Sequence, residues 1–269
     1  KKKNELTSRV AELKKQLATL DTQIKKEGGA QVAALDKKIA ALKPKAKLKN
    51  KSVEFGYHSA IVKEPNQTKW VQVDLGSATN LRRVVLRPCH DDFNNIGGGF
   101  GFPVRFKVEG AATADFKNPI SIGDETQADF PNPDIAPVGF TTKAKARFIR
   151  ITATRLAKRS NDYILAISEL EALDATGKNV ARNAKVSSPD SIEAPKRWRR
   201  ANLTDGIYPV AGDESAIVQI QEVTRQRQTI LAKLDTPVRK AKRKQIQTDL
   251  AAAQKSLKAL PSGKMVYAA

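Results

Sequence analysis

Between His90 and Phe102 the chain gathers one imidazole, two carboxylates (Asp91, Asp92), two asparagines (Asn94, Asn95) and three phenylalanines (Phe93, Phe100, Phe102). A pyranose asks for this mixture, because it offers an apolar C–H face for stacking and a ring of hydroxyls for carboxylate, amide and imidazole hydrogen bonds. Arg87 and Arg105 flank the run and would clamp a sulfate or carboxylate substituent. The alternative is architectural: Gly97–Gly99 shape a tight loop and the phenylalanines plug the end of the fold. His58 with Tyr57 is a further binding candidate. Of the two tryptophans, Trp70 alternates within a strand pattern and reads as core. Trp198, set among Lys196, Arg197, Arg199 and Arg200, reads as exposed and able to pack over arginine.

Catalysis finds little support. Only His58 and His90 offer imidazole bases, Asp91 and Asp92 are neighbours instead of a separated pair, and Cys89 lacks the basic surroundings of an activated thiolate. A single cysteine also excludes an internal disulfide and any multi-cysteine metal cluster. No run approaches the roughly 18 apolar residues of a membrane span. The formal charge of +20 is unevenly spread: residues 1–51 hold 15 basic and 5 acidic groups, residues 214–269 hold 11 and 4, and residues 52–213 hold 22 and 19. Attraction to polyanions therefore belongs first to the two ends; a nucleic-acid partner is not expected, and a further reading, nucleic-acid binding through the arms, would show as a steep loss of affinity with salt.

The elements that position these residues change period along the chain. Leu6, Val10, Leu13, Leu17, Leu20 and Ile24 are spaced 4, 3, 4, 3, 4, the seam of a coiled coil. The pattern pauses at Gly28–Gly29, resumes through Val32, Leu35, Ile39 and Leu42, and stops at Pro44. The other end mirrors it, with Thr236 as N-cap and Pro237 as first helical residue between two apolar stripes. Each arm thus reads as two helices, and the economical burial is antiparallel pairing of residues 4–27 with 238–260 and of 31–43 with 215–234. Docking of both arms onto parts of a longer protein is the alternative. Between the arms the period becomes two: Lys69–Leu75, Leu81–Leu86, Val104–Val108 and Phe148–Thr152 read as strands joined by long Gly/Pro-rich loops, Pro88–Pro103 and Asp124–Val138 among them.

Trp70–Gly76 (WVQVDLG), the strand ending Leu86-Arg87-Pro88, Arg147–Thr152 (RFIRIT) and Ile167–Leu173 (ISELEAL) resemble the discoidin, or coagulation-factor 5/8 type C, family. The resemblance implies a galactose-binding-like β-sandwich jelly roll. Gly177–Gly206 is similar to that family's opening strand, yet here it follows the closing strands, which suggests a permuted domain with residues 177–206 supplying an edge strand. The runs His90–Glu109, Thr152–Leu173, Asp190–Gly206 and Met265–Ala268 resemble the discoidin-like insert of large planctomycete proteins that carry cytochrome c-type domains elsewhere. That implies an exported protein, periplasmic or on the cell surface, of a polysaccharide-degrading bacterium. The resemblance also implies ligand contacts in Lys158–Tyr163, where Arg159, Asn161, Asp162 and Tyr163 have suitable chemistry. No cofactor is required, but a structural Ca²⁺ is implied at Asp205 with Glu169 or Glu171, against the alternative of a plain turn.

The expected organisation is a helical arm (1–48), a discoidin-like sandwich (52–213), a second helical arm (214–262) forming an antiparallel coiled-coil stalk with the first, and the start of a following domain (263–269). The expected function is a non-catalytic module binding polysaccharide or oligosaccharide, with acidic or sulfated polymers in view. The other partners are the remaining domains of a longer polypeptide. The competing expectation is a structural spacer that positions neighbouring cytochrome-type domains.

Overall fold

The computed structural model describes residues 2–50, 52–91 and 96–260. Of the expected site residues, Asp92, Phe93 and Asn94 lie outside these, as does the segment 263–269. The chain divides into a helical unit, residues 1–41 with 222–269, and a sandwich unit, residues 42–221.

In the helical unit, α1 (Lys2–Glu27) is followed by α2 (Gly29–Leu42), and the last part of α3 (Glu214–Leu234) by α4 (Pro237–Lys258). Gly29 takes a φ of +50°, which a side chain resists, and this ends the first helical run. At the other break the Thr236 hydroxyl accepts from the Arg239 amide at 3.4 Å and Pro237 opens α4. The seam residues Leu13, Leu20, Ile24 and Val32 are buried, as are Val223, Ile246 and Ala253. Leu13, Ile246 and Ala253 form one cluster with Val10, Leu17 and Leu250 around it. Ion pairs Arg9–Asp249, Asp21–Arg243 and Glu27–Arg239 step in opposite senses along α1 and α4, so the two run antiparallel. Arg227 reaches Asp36 at 2.6 Å between α3 and α2.

The strands of the sandwich unit are, in order, β1 (Tyr57–His58), β2 (Lys69–Arg87), β3 (Cys89–Asp91), β4 (Gly97–Phe100), β5 (Arg105–Ala111), β6 (Ile120–Glu125) and β7 (Val138–Thr141). They continue with β8 (Lys145–Arg155), β9 (Ala157–Lys158), β10 (Tyr163–Ile164), β11 (Ala166–Ile167), β12 (Glu169–Asp174) and β13 (Lys185–Ser187). The two segments read as separate strands, Lys69–Leu75 and Leu81–Leu86, are the halves of one long strand, β2. Its first half pairs with β8 and β13, its second with β12 and β7, and the register shifts between Asp74 and Thr79. Gly76 makes the bend, with φ +82° and its amide donated to Asp74 Oδ1 at 2.8 Å; Arg147 clamps the same carboxylate from β8. One sheet is therefore β13-β2-β8-β5-β6 and the other β12-β2-β7. Val71, Val73, Phe106, Val108, Ile149 and Ile151 of the first close a single core with Val84, Leu86, Val138, Leu170 and Ala172 of the second. Within the expected sandwich edge, β13 sets Val186 opposite Val73, antiparallel.

The run Pro88–Pro103 is a hairpin instead of an open loop: β3 pairs with β4, Cys89 opposite Phe100 and Asp91 opposite Gly97. β9 pairs with β10 and β1 with β11, placing His58 opposite Ala166. These short pairs bring the hairpin, residues 158–163 and the His58 strand together.

Candidate functional site

A groove of about 580 Å³ opens where these short strands meet. Its wall begins with aromatic rings. Trp198 lies edge-on to His58 with centroids 5.1 Å apart and 5.7 Å from Phe100, and Phe55 meets Trp198 from the side at 5.4 Å. Phe100 is half-buried and borders the groove. Trp198 is only 6% exposed and packs with Cys89, Ile164 and Ala166, so the exposed arginine-stacking platform expected of it is not there. The roles of the tryptophans are exchanged: Trp70 is half-exposed, and the Arg150 guanidinium covers it at 4.5 Å.

The imidazole of His58 is held in one tautomer. Its Nδ1 lies 2.6 Å from the Ser59 carbonyl, which can only accept, so Nδ1 carries the proton and Nε2 keeps its lone pair. Burial is the main cause holding the His58 pKa below the usual imidazole value, and the ring is neutral at physiological pH. Asp91, Arg159 and Asp162 are close enough to act on it electrostatically. Asp91 is 7% exposed and lines the same groove. Arg159 is oriented by Asp162, with Nε and Nη2 each donating to one carboxylate oxygen at 2.9 Å, and this pairing lowers the Asp162 pKa. Asp162 thus serves Arg159; Arg159 and Lys158 border the groove. Asn161 is exposed on the same turn, and Tyr163 packs half-buried against the core.

Several expected ligand residues do other work. Arg87 is half-buried between Glu171, at 2.9 Å, and Glu214, and covers the Tyr208 ring at 4.4 Å; its charge is already satisfied. Arg105 donates to Asp129 at 2.7 Å, and Arg155 shares that carboxylate. Tyr57 is fully buried, its hydroxyl donating to the Asp190 carbonyl at 3.0 Å. Phe102 is core, edge-on to Phe106. His90 lines a different, small cleft with Leu48, Asn50 and Glu54, because adjacent side chains of β3 leave opposite faces.

Four contributors to the groove escaped the sequence reading. Asn132 donates through Nδ2 to the Gly98 carbonyl at 3.3 Å and packs where a side chain on Gly99 would stand, 1.7 Å from its Oδ1. Glycine at 99, with φ +73°, is required for that close approach. Ile61, Ile96 and Ile192 come from separate segments and rim the groove, 43%, 44% and 36% exposed. A polar residue between two prolines (Pro131-Asn132-Pro133) was the available signal for the first; isolated isoleucines carry none.

The expected metal residues separate into two groups. Glu171 is committed to Arg87. Glu169 is fully buried; its Oε2 accepts from the Gly206 amide at 3.0 Å while Oε1 has no hydrogen-bond partner, and burial pushes its pKa up to about 8. Asp205, close enough to raise it further, is itself pushed up by burial and accepts from the Ile207 amide at 2.8 Å. An orphaned buried carboxylate oxygen beside a second acid fits a hard cation. Among the described residues no three His, Cys, Asp or Glu side chains gather, so carbonyl and water oxygens would have to complete the shell.

Among solved structures the chain is similar to CBM32-1 from a family 31 glycoside hydrolase from Clostridium perfringens, at 16% identity and a TM-score of 0.31, over 43% of this chain and 73% of that one. It is also similar to CpGH89CBM32-6 produced by Clostridium perfringens, at 13% identity and a TM-score of 0.30, over 49% of this chain and 93% of that one. No curated protein matches. Residues 34–170, more than half of the chain and the span holding β1 to β11 with the groove's hairpin, match the F5/8 type C domain, and the protein belongs to that family.

Proposed function

We propose that the sandwich unit is a non-catalytic carbohydrate-binding module of an exported bacterial multidomain protein, taking an oligosaccharide or one stretch of a polysaccharide in the groove. The observation that carries this is the composition of the groove wall: a half-exposed Phe100 ring beside the acceptor-only Nε2 of His58, the Asp91 carboxylate and the Asn132 amide. Phe100 offers a stacking face and the others match sugar hydroxyls. Lys158 and the pre-oriented Arg159 add positive charge at one side, which favours an acidic or sulfated sugar there. Its volume is within the usual range for small-ligand sites. Glu169 and Asp205 would hold a structural Ca²⁺, which would neutralise their charge and pin the Thr204–Gly206 turn to β12.

The test is a glycan array and affinity gels spanning neutral galactans and sulfated fucans, at low and moderate salt, with the wild type and Asp91→Ala. Salt-resistant binding lost in the variant supports the groove. Absence of binding to every glycan overturns it and favours the second reading, a spacer between neighbouring domains, for which the separately packed core of the helical unit speaks.

A further inference from the structure

The helical unit uses its two kinds of cation differently. Each of its arginines, Arg9, Arg225, Arg227, Arg239 and Arg243, lies within 4.0 Å of a carboxylate, whereas among the described residues Lys25 is the one lysine of the unit that does. Arginine's planar fork suits fixed pairing, and lysine remains as mobile point charge. The acids are consumed accordingly. On α4 the sole acid is Asp249, and it faces Arg9 of α1.

Of the five unpaired lysines of α4, four share one side, and Lys242 lies on another. At about 100° per residue, Lys240, Lys244, Lys255 and Lys258 fall within roughly 60° of one another, on the side turned away from buried Ile246 and Ala253. All four are exposed, and between them that side carries exposed Gln247, Thr248 and Ala251. The line runs over 19 residues, about 27 Å of helix from Lys240 to Lys258.

We propose that this line is a docking track for a linear anionic polysaccharide, separate from the groove. Charge complementarity selects a polyanion. Nucleic acid fits it less well: the arginines that would fork onto phosphates are spent within the unit, and the track has no aromatic side chain on which a base could stack. Sulfate or carboxylate groups spaced along a sugar chain need only point charges. The choice of a glycan over other polyanions rests on the reading of the groove, but the surface and its variants are different.

The test uses the full chain and dextran sulfate, with uncharged dextran and duplex DNA of equal charge as comparators, titrated at 50 and 200 mM salt. The variant is Lys240→Gln, Lys244→Gln, Lys255→Gln, Lys258→Gln, whose helix propensity is close to that of wild type; circular dichroism verifies the helices. Dextran sulfate affinity should fall at least tenfold in it, with a salt dependence shallower by roughly 0.7–0.9 logarithmic units for each lysine lost, by analogy with counterion release from nucleic acids. The four lysine substitutions leave every groove residue in place and should not change binding of a neutral glycan there, so failure of the groove reading leaves the dextran sulfate result standing. Unchanged affinity in the four-lysine variant, or tighter binding of DNA than of dextran sulfate by wild type, would overturn the proposal.

Discussion

Asp91 and His90 are neighbours in β3 whose side chains serve opposite sides of the strand: Asp91 faces the groove with His58, and His90 faces the cleft beside Asn50 and Glu54. Binding should separate them. Asp91→Ala removes a charged acceptor, worth about 1.5–3 kcal/mol, and should weaken glycan binding by roughly 10- to 100-fold. His90→Ala should change it less than twofold. Isothermal titration with the best glycan from the array reads both, and equal losses would place the binding surface elsewhere.

Trp198 and Trp70 should differ in stability. Trp198 closes the aromatic cluster with Phe55, His58 and Phe100 at 6% exposure, so Trp198→Ala should cost about 3–5 kcal/mol. Trp70 sits half-exposed under Arg150, and Trp70→Ala should cost far less, nearer the ~1 kcal/mol of an exposed cation–π contact plus its partial burial. Urea midpoints measure the two.

That exchange shows which parts of the molecule were legible in the sequence. The WVQVDLG and RFIRIT patterns signal a two-residue period, and the sandwich core follows, with Val71, Val73, Ile149 and Ile151 all buried. Turn residues and periodicity do not say that β2 runs on through Gly76, because a bend within a strand and a loop between two use the same residues. The groove was half legible. Of the His90–Phe102 run, Asp91 and Phe100 line the groove, but the β3 pairing that sends His90 and Asp91 apart is a tertiary fact. Charge near a residue misled twice: Trp198 lies among basic residues and is buried, and Arg87 flanks the hairpin but is neutralised by Glu171 and Glu214, 84 and 127 residues away.

Arg87 should therefore matter for folding and not for ligand. Arg87→Met leaves Glu171, whose side chain is 14% exposed, without its cation, which should cost roughly 3–5 kcal/mol. The double variant Arg87→Met, Glu171→Leu should recover much of that, since the penalty belongs to the abandoned charge. Denaturation of both variants decides it, and glycan affinity of the single variant, measured below its unfolding temperature, should equal that of wild type.

Glu169 gives the fold a pH dependence of definite sign. Its pKa stands at about 8 in the folded chain against 4.5 for a free glutamate, because burial opposes the charge. Below 4.5 both states hold the proton and the group contributes no difference. Between 4.5 and 8 the unfolded chain has released its proton while the folded chain retains it, so stability falls as pH rises through this window, by roughly 3–5 kcal/mol from this group. In EDTA, Glu169→Gln should remove most of that fall and melt above wild type at pH 8. Added Ca²⁺ should raise the melting temperature of wild type at pH 8 and leave the Gln variant unmoved, because the cation would replace the proton at the unpartnered Oε1. A flat stability profile from pH 5 to 8 in EDTA would rule out the buried-acid account, and a full pH response without any calcium effect would leave the carboxyl as a protonated structural group and remove the metal.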